Sequence, residues 1–244
     1  MSSITAVQPQ IKAYTDLEDQ MRELTQFQQD CDALPDTAIQ KMAINLERLR
    51  WTAANKESYL QVNIPSFKLT VHQPDKVYEF KAIIGSPATP TPQLNSTLTD
   101  FTTASRLKMS HNNNVSPGIN PRGVIYFWFK NTYGISICGR PDNDIFKPTV
   151  RALSKGNIKV EKGEQLAALL LKADGYAEKI DSLRRAISDY AITNFVLTKP
   201  IALKITYITC EVQNGMVVKY NDIYSLDKKL EQALYSTSEY MVAE

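Results

Sequence analysis

The chain has 244 residues, 43% of them hydrophobic and 22% charged, with a formal net charge of +2. That length supplies one sizeable core, or one domain with an appendage, in an ordinary globular composition. A nearly neutral chain gives composition no argument for a nucleic-acid partner, and no apolar run reaches the length of a membrane span. Three widely spaced cysteines (Cys31, Cys138, Cys210) and two isolated histidines (His72, His111) form no C-x-x-C pair or ligand-like cluster. Nothing therefore calls for a metal or another cofactor. The opening Met1-Ser-Ser-Ile-Thr-Ala-Val lacks the basic-then-apolar order of a signal peptide. The expectation is a cytoplasmic protein, or an exported one whose signal has been removed.

Residues 15–33 are expected to be helical. Thr15-Asp-Leu-Glu18 has the capping-box pattern, and Leu17, Met21, Leu24 and Phe27 form an apolar stripe. Leu34-Pro35-Asp36 ends that helix and offers Asp36 as a cap for the next, over 37–51. The short connection predicts an antiparallel helical hairpin. Phe67, Leu69 and Val71 alternate with Lys68 and Thr70, which predicts a half-buried strand. Gln73-Pro74-Asp75-Lys76 is a turn, and 77–84 returns as a hairpin partner. His72, just before the turn, is expected to face solvent.

Residues 86–121 are rich in Pro, Ser, Thr and Asn and predict a loop. Residues 124–129 are a continuous apolar run expected to form a central strand, followed by another over 134–138. Residues 161–172 and 176–188 have helical apolar spacing. Residues 196–212 contain two strand-like pieces around Pro200. Asn214-Gly215 is a hairpin signal with 216–220 pairing back, and a last helix covers 226–234.

Four stretches carry a resemblance. Ala43-Ile-Asn-Leu-Glu-Arg-Leu-Arg-Trp51, then Tyr59-Leu-Gln-Val-Asn-Ile-Pro-Ser-Phe-Lys-Leu-Thr-Val71, resembles the N-L-E-R-x-R-W and V-N-I-P-x-F-x-L-x-V order of large periplasmic L,D-transpeptidases. Arg151-Ala-Leu-Ser-Lys-Gly-Asn-Ile-Lys-Val160 resembles that family's active-site signature, R-x-x-S-H-G-C-h-R-h with h apolar. Asp222-Ile-Tyr224 resembles the end of the family domain, so the likeness runs over 41–224. It implies an α/β (α+β) fold: a transpeptidase-like β-sandwich core, peripheral helices and the N-terminal helical hairpin. The implied divisions are 1–57 as hairpin and linker, 58–224 as a degenerate transpeptidase-like domain, and 225–244 as a C-terminal helix and tail.

Within the signature, the family histidine has become Lys155, the nucleophilic cysteine Asn157 and the following arginine Lys159. Counting back from Asn157 by the family spacing places Cys138 where the activating histidine belongs, and Pro141 matches the proline of that motif. The family chemistry needs a thiolate, a base that activates it and oxyanion donors. The resemblance therefore implies a pseudoenzyme with no catalytic residues. It would be a binding or scaffold module in a bacterial cell-envelope or peptidoglycan-associated assembly, sited in the periplasm if exported. Its partners would be other cell-envelope proteins, with peptidoglycan a further candidate.

Two alternatives stay open. One is a divergent transpeptidase using Cys138, with Lys155 as its activating cation. The other is a reader of peptidoglycan stem peptides. Arg140, Arg151, Ser154, Lys155, Asn157 and Lys159 are its candidate binding residues, and their cations suit a carboxylate as well as they suit plain solvation.

Overall fold

The computed structural model describes residues 9, 11–30, 37–52, 58–103, 123–141 and 144–235. The expected break at Leu34-Pro35-Asp36, Cys31, His111 and the following Asn112-Asn113-Asn114 lie outside these residues. Helices α1 (Lys12–Asp30) and α2 (Thr37–Thr52) come first. Strands β1 (Tyr59–Asn63), β2 (Lys68–His72), β3 (Val77–Gly85), β4 (Leu94–Thr103), β5 (Ile125–Phe129), β6 (Ile137–Arg140), β7 (Ala152–Ser154) and β8 (Ile158–Glu161) follow. Then come α3 (Gly163–Ala173), α4 (Ile180–Ser188), β9 (Thr193–Thr206), β10 (Cys210–Gln213), β11 (Met216–Lys219) and α5 (Leu226–Tyr235). The chain divides into two compact units, 1–56 with 206–244, and 57–205. Residues 206–224, assigned from sequence to the transpeptidase-like segment, thus cluster with the N-terminal helices.

In the first unit, Tyr14 and Leu17 of α1 pack with Met42, Leu46 and Leu49 of α2, and with Ile208 and Cys210. Helix α1 starts earlier than the capping-box pattern predicts. Thr15 lies inside it and donates its hydroxyl to the Lys12 carbonyl, while Glu18 pairs with Arg22 one turn on. Phe27 is 55% exposed, so the apolar stripe ends before it. A buried polar hub ties the rest together. Asn45 accepts from the Thr209 N–H at 2.7 Å, and Arg48 pairs with Asp227, which also accepts from the Thr209 hydroxyl. Asp222 caps α5 by accepting from the N–H groups of Leu226 and Asp227. Asn214 and Gly215 have φ of 50° and 76°, as a tight two-residue hairpin turn requires, and join β10 to β11.

The second unit is one nine-stranded sheet in the order β2-β1-β9-β4-β5-β6-β8-β3-β7, with an added β2–β3 pairing that closes it on itself. Strand β3 makes that closure. Its first half pairs with β2, and Ala82 and Ile83 pair with β8. Most pairings are antiparallel, while β6–β8 and β3–β7 are parallel. The interior is apolar, with Leu60, Leu69, Phe101, Phe127, Ile158 and Leu166 almost fully buried. The expected α/β fold with a sandwich-like sheet core and peripheral helices is the fold present.

Two strand assignments differ from the sequence reading. Residues 94–103, expected as loop, form β4, which pairs with both β5 and β9. Its first seven residues are polar except Leu94 and Leu98, and only Leu98 and residues 101–103 are buried. Around Pro200 there is one strand. Register slips between Leu98 and Asp100, leaving 197–200 of β9 out of the β4 ladder. Pro200, which has no N–H to donate, falls in that gap. Asp174, at the end of α3, fills the gap from the side, accepting from the N–H groups of Thr198 and Lys199 and from the Thr198 hydroxyl.

Candidate functional site

The signature lies between β7 and β8. Arg151 sits just before β7 and Ser154 ends it. Lys155 and Gly156 make the turn, and Asn157 leads into β8. Gly156 has φ of +88°, a backbone that favours glycine. The Ser154 hydroxyl donates to the Asn157 carbonyl across the turn. From the neighbouring loop, the Thr91 hydroxyl donates to the Gly156 carbonyl at 2.8 Å and accepts from the Gly85 N–H at 2.8 Å. Thr89 donates to the Ser154 carbonyl at 3.2 Å. The Thr-Pro-Thr-Pro loop therefore holds the signature turn in shape.

Parallel pairing of β6 with β8 sets Cys138 beside Lys159 and Arg140 beside Glu161. Side chains alternate along a strand, so Ser136, Cys138 and Arg140 share one face with Asn157, Lys159 and Glu161. The Ile158 N–H bond to the Ser136 carbonyl, at 3.0 Å, extends this register by one step. Tyr126 of β5 lies opposite Cys138 on the other side.

At one end of this face, Asn157 Oδ1 accepts from the Ser136 N–H at 2.8 Å and from the Ser136 hydroxyl at 3.2 Å. In the middle, Cys138 is 9% exposed. Burial pushes its thiol up to about 11, against the pull of Arg140, Lys159 and a hydrogen bond with the Tyr126 hydroxyl. A thiol with that pKa is protonated at neutral pH and is a poor nucleophile. At the far end, Arg140 is half-buried, and its Nε is buried without a hydrogen-bond partner.

Not every basic residue picked out from sequence joins this face. Arg151 donates through Nε to the Ala82 carbonyl at 3.1 Å, through Nη1 to Pro148 at 2.9 Å and through Nη2 to Phe67 at 2.9 Å. Its guanidinium also lies 5.5 Å from the centre of the Phe67 ring. Its planar fork is spent on the backbone, so it clamps the fold and has no free edge for a ligand. Lys155 is exposed at the turn. His72 departs from its expected solvent position. It stacks on Tyr59 with ring centroids 4.2 Å apart, contacts the Thr70 hydroxyl at 3.0 Å, and burial holds its pKa below the usual imidazole value. It belongs to β2 and does not reach Cys138 through the β6 ladder. No motif in the sequence marks Ser136, Tyr126 or Thr91 as a site residue. Ser136 could have been found as the residue two positions before Cys138 on the same strand face.

The family profile of the L,D-transpeptidase catalytic domain matches residues 57–180, just over half of the chain. The chain belongs to that family. A curated Haemophilus influenzae protein named "Putative L,D-transpeptidase" is 27% identical over 80% of this chain and 49% of its own length. The chain thus spans about half the length of that relative. Among solved structures, an L,D-transpeptidase from Mycobacterium smegmatis aligns at 16% identity over 62% of this chain and 58% of its own, with a TM-score of 0.32. One from Stackebrandtia nassauensis aligns at 10% identity over 83% and 93%, with a TM-score of 0.33. These structural alignments are loose, and membership rests on the family match.

Proposed function

We propose that this chain is a catalytically silent L,D-transpeptidase relative serving as a binding or scaffold module in a bacterial cell-envelope assembly. The observation that carries the reading is the fate of the nucleophile position. Asn157 has no ionisable proton and cannot form a thioester, and its side-chain oxygen is engaged by Ser136. The nearby Cys138 offers no substitute, since its thiol is buried and protonated at neutral pH. Among the described residues no imidazole stands beside it. The frame around the old site is kept by Arg151, Thr91, Ser154 and Gly156. The parts lost are those that make and break bonds. The family's relation to peptidoglycan supports a site of action at the cell wall, in the periplasm.

The test is turnover and complementation together. Purified protein incubated with tetrapeptide-bearing muropeptides is expected to give no cross-linked or trimmed product by liquid chromatography and mass spectrometry. A chromosomal Asn157→Ala allele is expected to behave as wild type. A product that vanishes in Cys138→Ser, or loss of function in a folded Asn157→Ala, would sink the reading.

A further inference from the structure

The sheet face that carries the family motif holds one group that the fold leaves unsatisfied. Arg140 Nε is the one buried side-chain nitrogen or oxygen without a hydrogen-bond partner among the described residues. Buried polar groups are normally paired, so an orphan on a cation calls for an acceptor. Its register neighbour Glu161 does not supply one. Two residues back on the same strand is Cys138, with Lys159 beside it. Opposite stands Tyr126, whose ring stacks on Trp128 with centroids 5.9 Å apart and planes 18° apart. Trp128 is fixed by its Nε1–H, which donates to the Thr102 hydroxyl at 2.9 Å. Both rings are half-buried, so each keeps part of its surface open. One face thus joins two cations, one lacking an acceptor, to a fixed aromatic pair.

We propose that this face binds a carboxylate-bearing ligand, the carboxylate taken side-on by Arg140 with Lys159 as second cation, and the ligand's flat body laid against Tyr126 and Trp128. A guanidinium presents Nε–H and one terminal N–H in parallel, matching the two oxygens of a carboxylate. Arg140 is half-buried as a residue while its Nε is buried, so binding in this way requires the guanidinium to turn until Nε meets the entering oxygen. A monoanion fits better than a phosphate dianion, because Glu161 shares the face and offsets one of the two cations. The proposal rests on the binding-module reading above, in that it takes this face as a receptor surface and not a reaction centre.

Tryptophans are Trp51 and Trp128 only, so a Trp51→Phe background makes Trp128 the reporter. This protein is titrated with benzoate, with its neutral isostere benzamide, and with inorganic phosphate. Benzoate is expected to give a saturable fluorescence change, with benzamide and phosphate weaker by roughly tenfold or more. Arg140→Gln and Lys159→Gln are each expected to weaken benzoate by a similar factor while the circular dichroism spectrum is unchanged. If Arg140→Gln fails to fold, Lys159→Gln carries the test. Equal response to benzoate and benzamide, phosphate binding as tight as benzoate, or unchanged benzoate affinity in the folded variants overturns the proposal. Benzoate cannot acylate a thiol. Muropeptide turnover would therefore refute the silent-enzyme reading without moving the benzoate result, and absent benzoate binding would refute this site without restoring an enzyme.

Discussion

Asn157 and Ser136 are joined across two parallel strands, the asparagine Oδ1 accepting from both the N–H and the hydroxyl of the serine. On the proposed reading, this crossbar stands where the family motif would put a thiolate. The bond is at the surface, so its removal is mild. Asn157→Ala is expected to lower unfolding stability by about 1 kcal/mol, the net worth of such hydrogen bonds. Urea melts measure it. A loss above about 3 kcal/mol would mean that Asn157 holds more than these two bonds.

Arg151 is the contrasting case. Its three backbone carbonyl partners and the Phe67 ring make it a structural clamp. Phe67 has φ of 53°, an unfavourable backbone for an aromatic residue, and it is held there partly by this contact. Arg151→Lys keeps the charge but not the fork, so stability is expected to fall by about 2–3 kcal/mol. Benzoate affinity is expected to be unchanged below the melting temperature. Affinity falling with no change in stability would return Arg151 to the ligand face.

Much of this was legible in the sequence, and what was missed has physical causes. The alternation of Leu69 and Val71 with Lys68 and Thr70 and the Asn214-Gly215 turn depend on neighbours in the chain, and both read correctly, although Phe67 falls just before β2 with a positive φ. Strand β4 did not, because its outward residues are Asn, Ser, Thr and Asp and its pairing partners lie far away in sequence. The signature turn was legible as a motif. The role of Arg151 was not, since its acceptors at Phe67 and Ala82 are backbone carbonyls that no residue type announces. Asn157 could be read as a lost nucleophile. Its bond to Ser136 depends on the β6–β8 register, which only the fold supplies.

Gly139 of β6 and Gly163 of α3 touch where the helix starts against the sheet. A Cβ on Gly139 would lie 2.6 Å from the Gly163 Cα, which is backbone and cannot turn aside. Gly139→Ala is expected to destabilise by about 1–3 kcal/mol through overpacking. Ala substituted at Gly215, where the added Cβ meets nothing within 4 Å, is the control for glycine loss without a clash. It should cost less, through its positive φ alone. Equal losses in denaturant melts would argue against close packing as the cause.

Asp174 gives a pH signature. Burial pushes its carboxyl up, but the bonds from Thr198 and Lys199 outweigh it, and the pKa lies below the ordinary carboxylate value. The folded state therefore favours the charged form. That stability is fully present above the unfolded value of about 3.9 and is lost as pH falls through the folded pKa. Asp174→Asn is expected to be less stable than wild type at pH 7, with the gap closing as pH drops below about 4. A gap that stays constant across that window would show that the bonds do not depend on charge.

On the proposed reading, the old catalytic face no longer makes covalent intermediates. Intact mass after incubation with a carbapenem, which acylates family cysteines, tests this without any assumption about substrate. An unmodified protein is expected, with both the buried Cys138 thiol and Asn157 unreacted. A stoichiometric adduct on wild type that disappears in Cys138→Ser would contradict it and identify a working nucleophile.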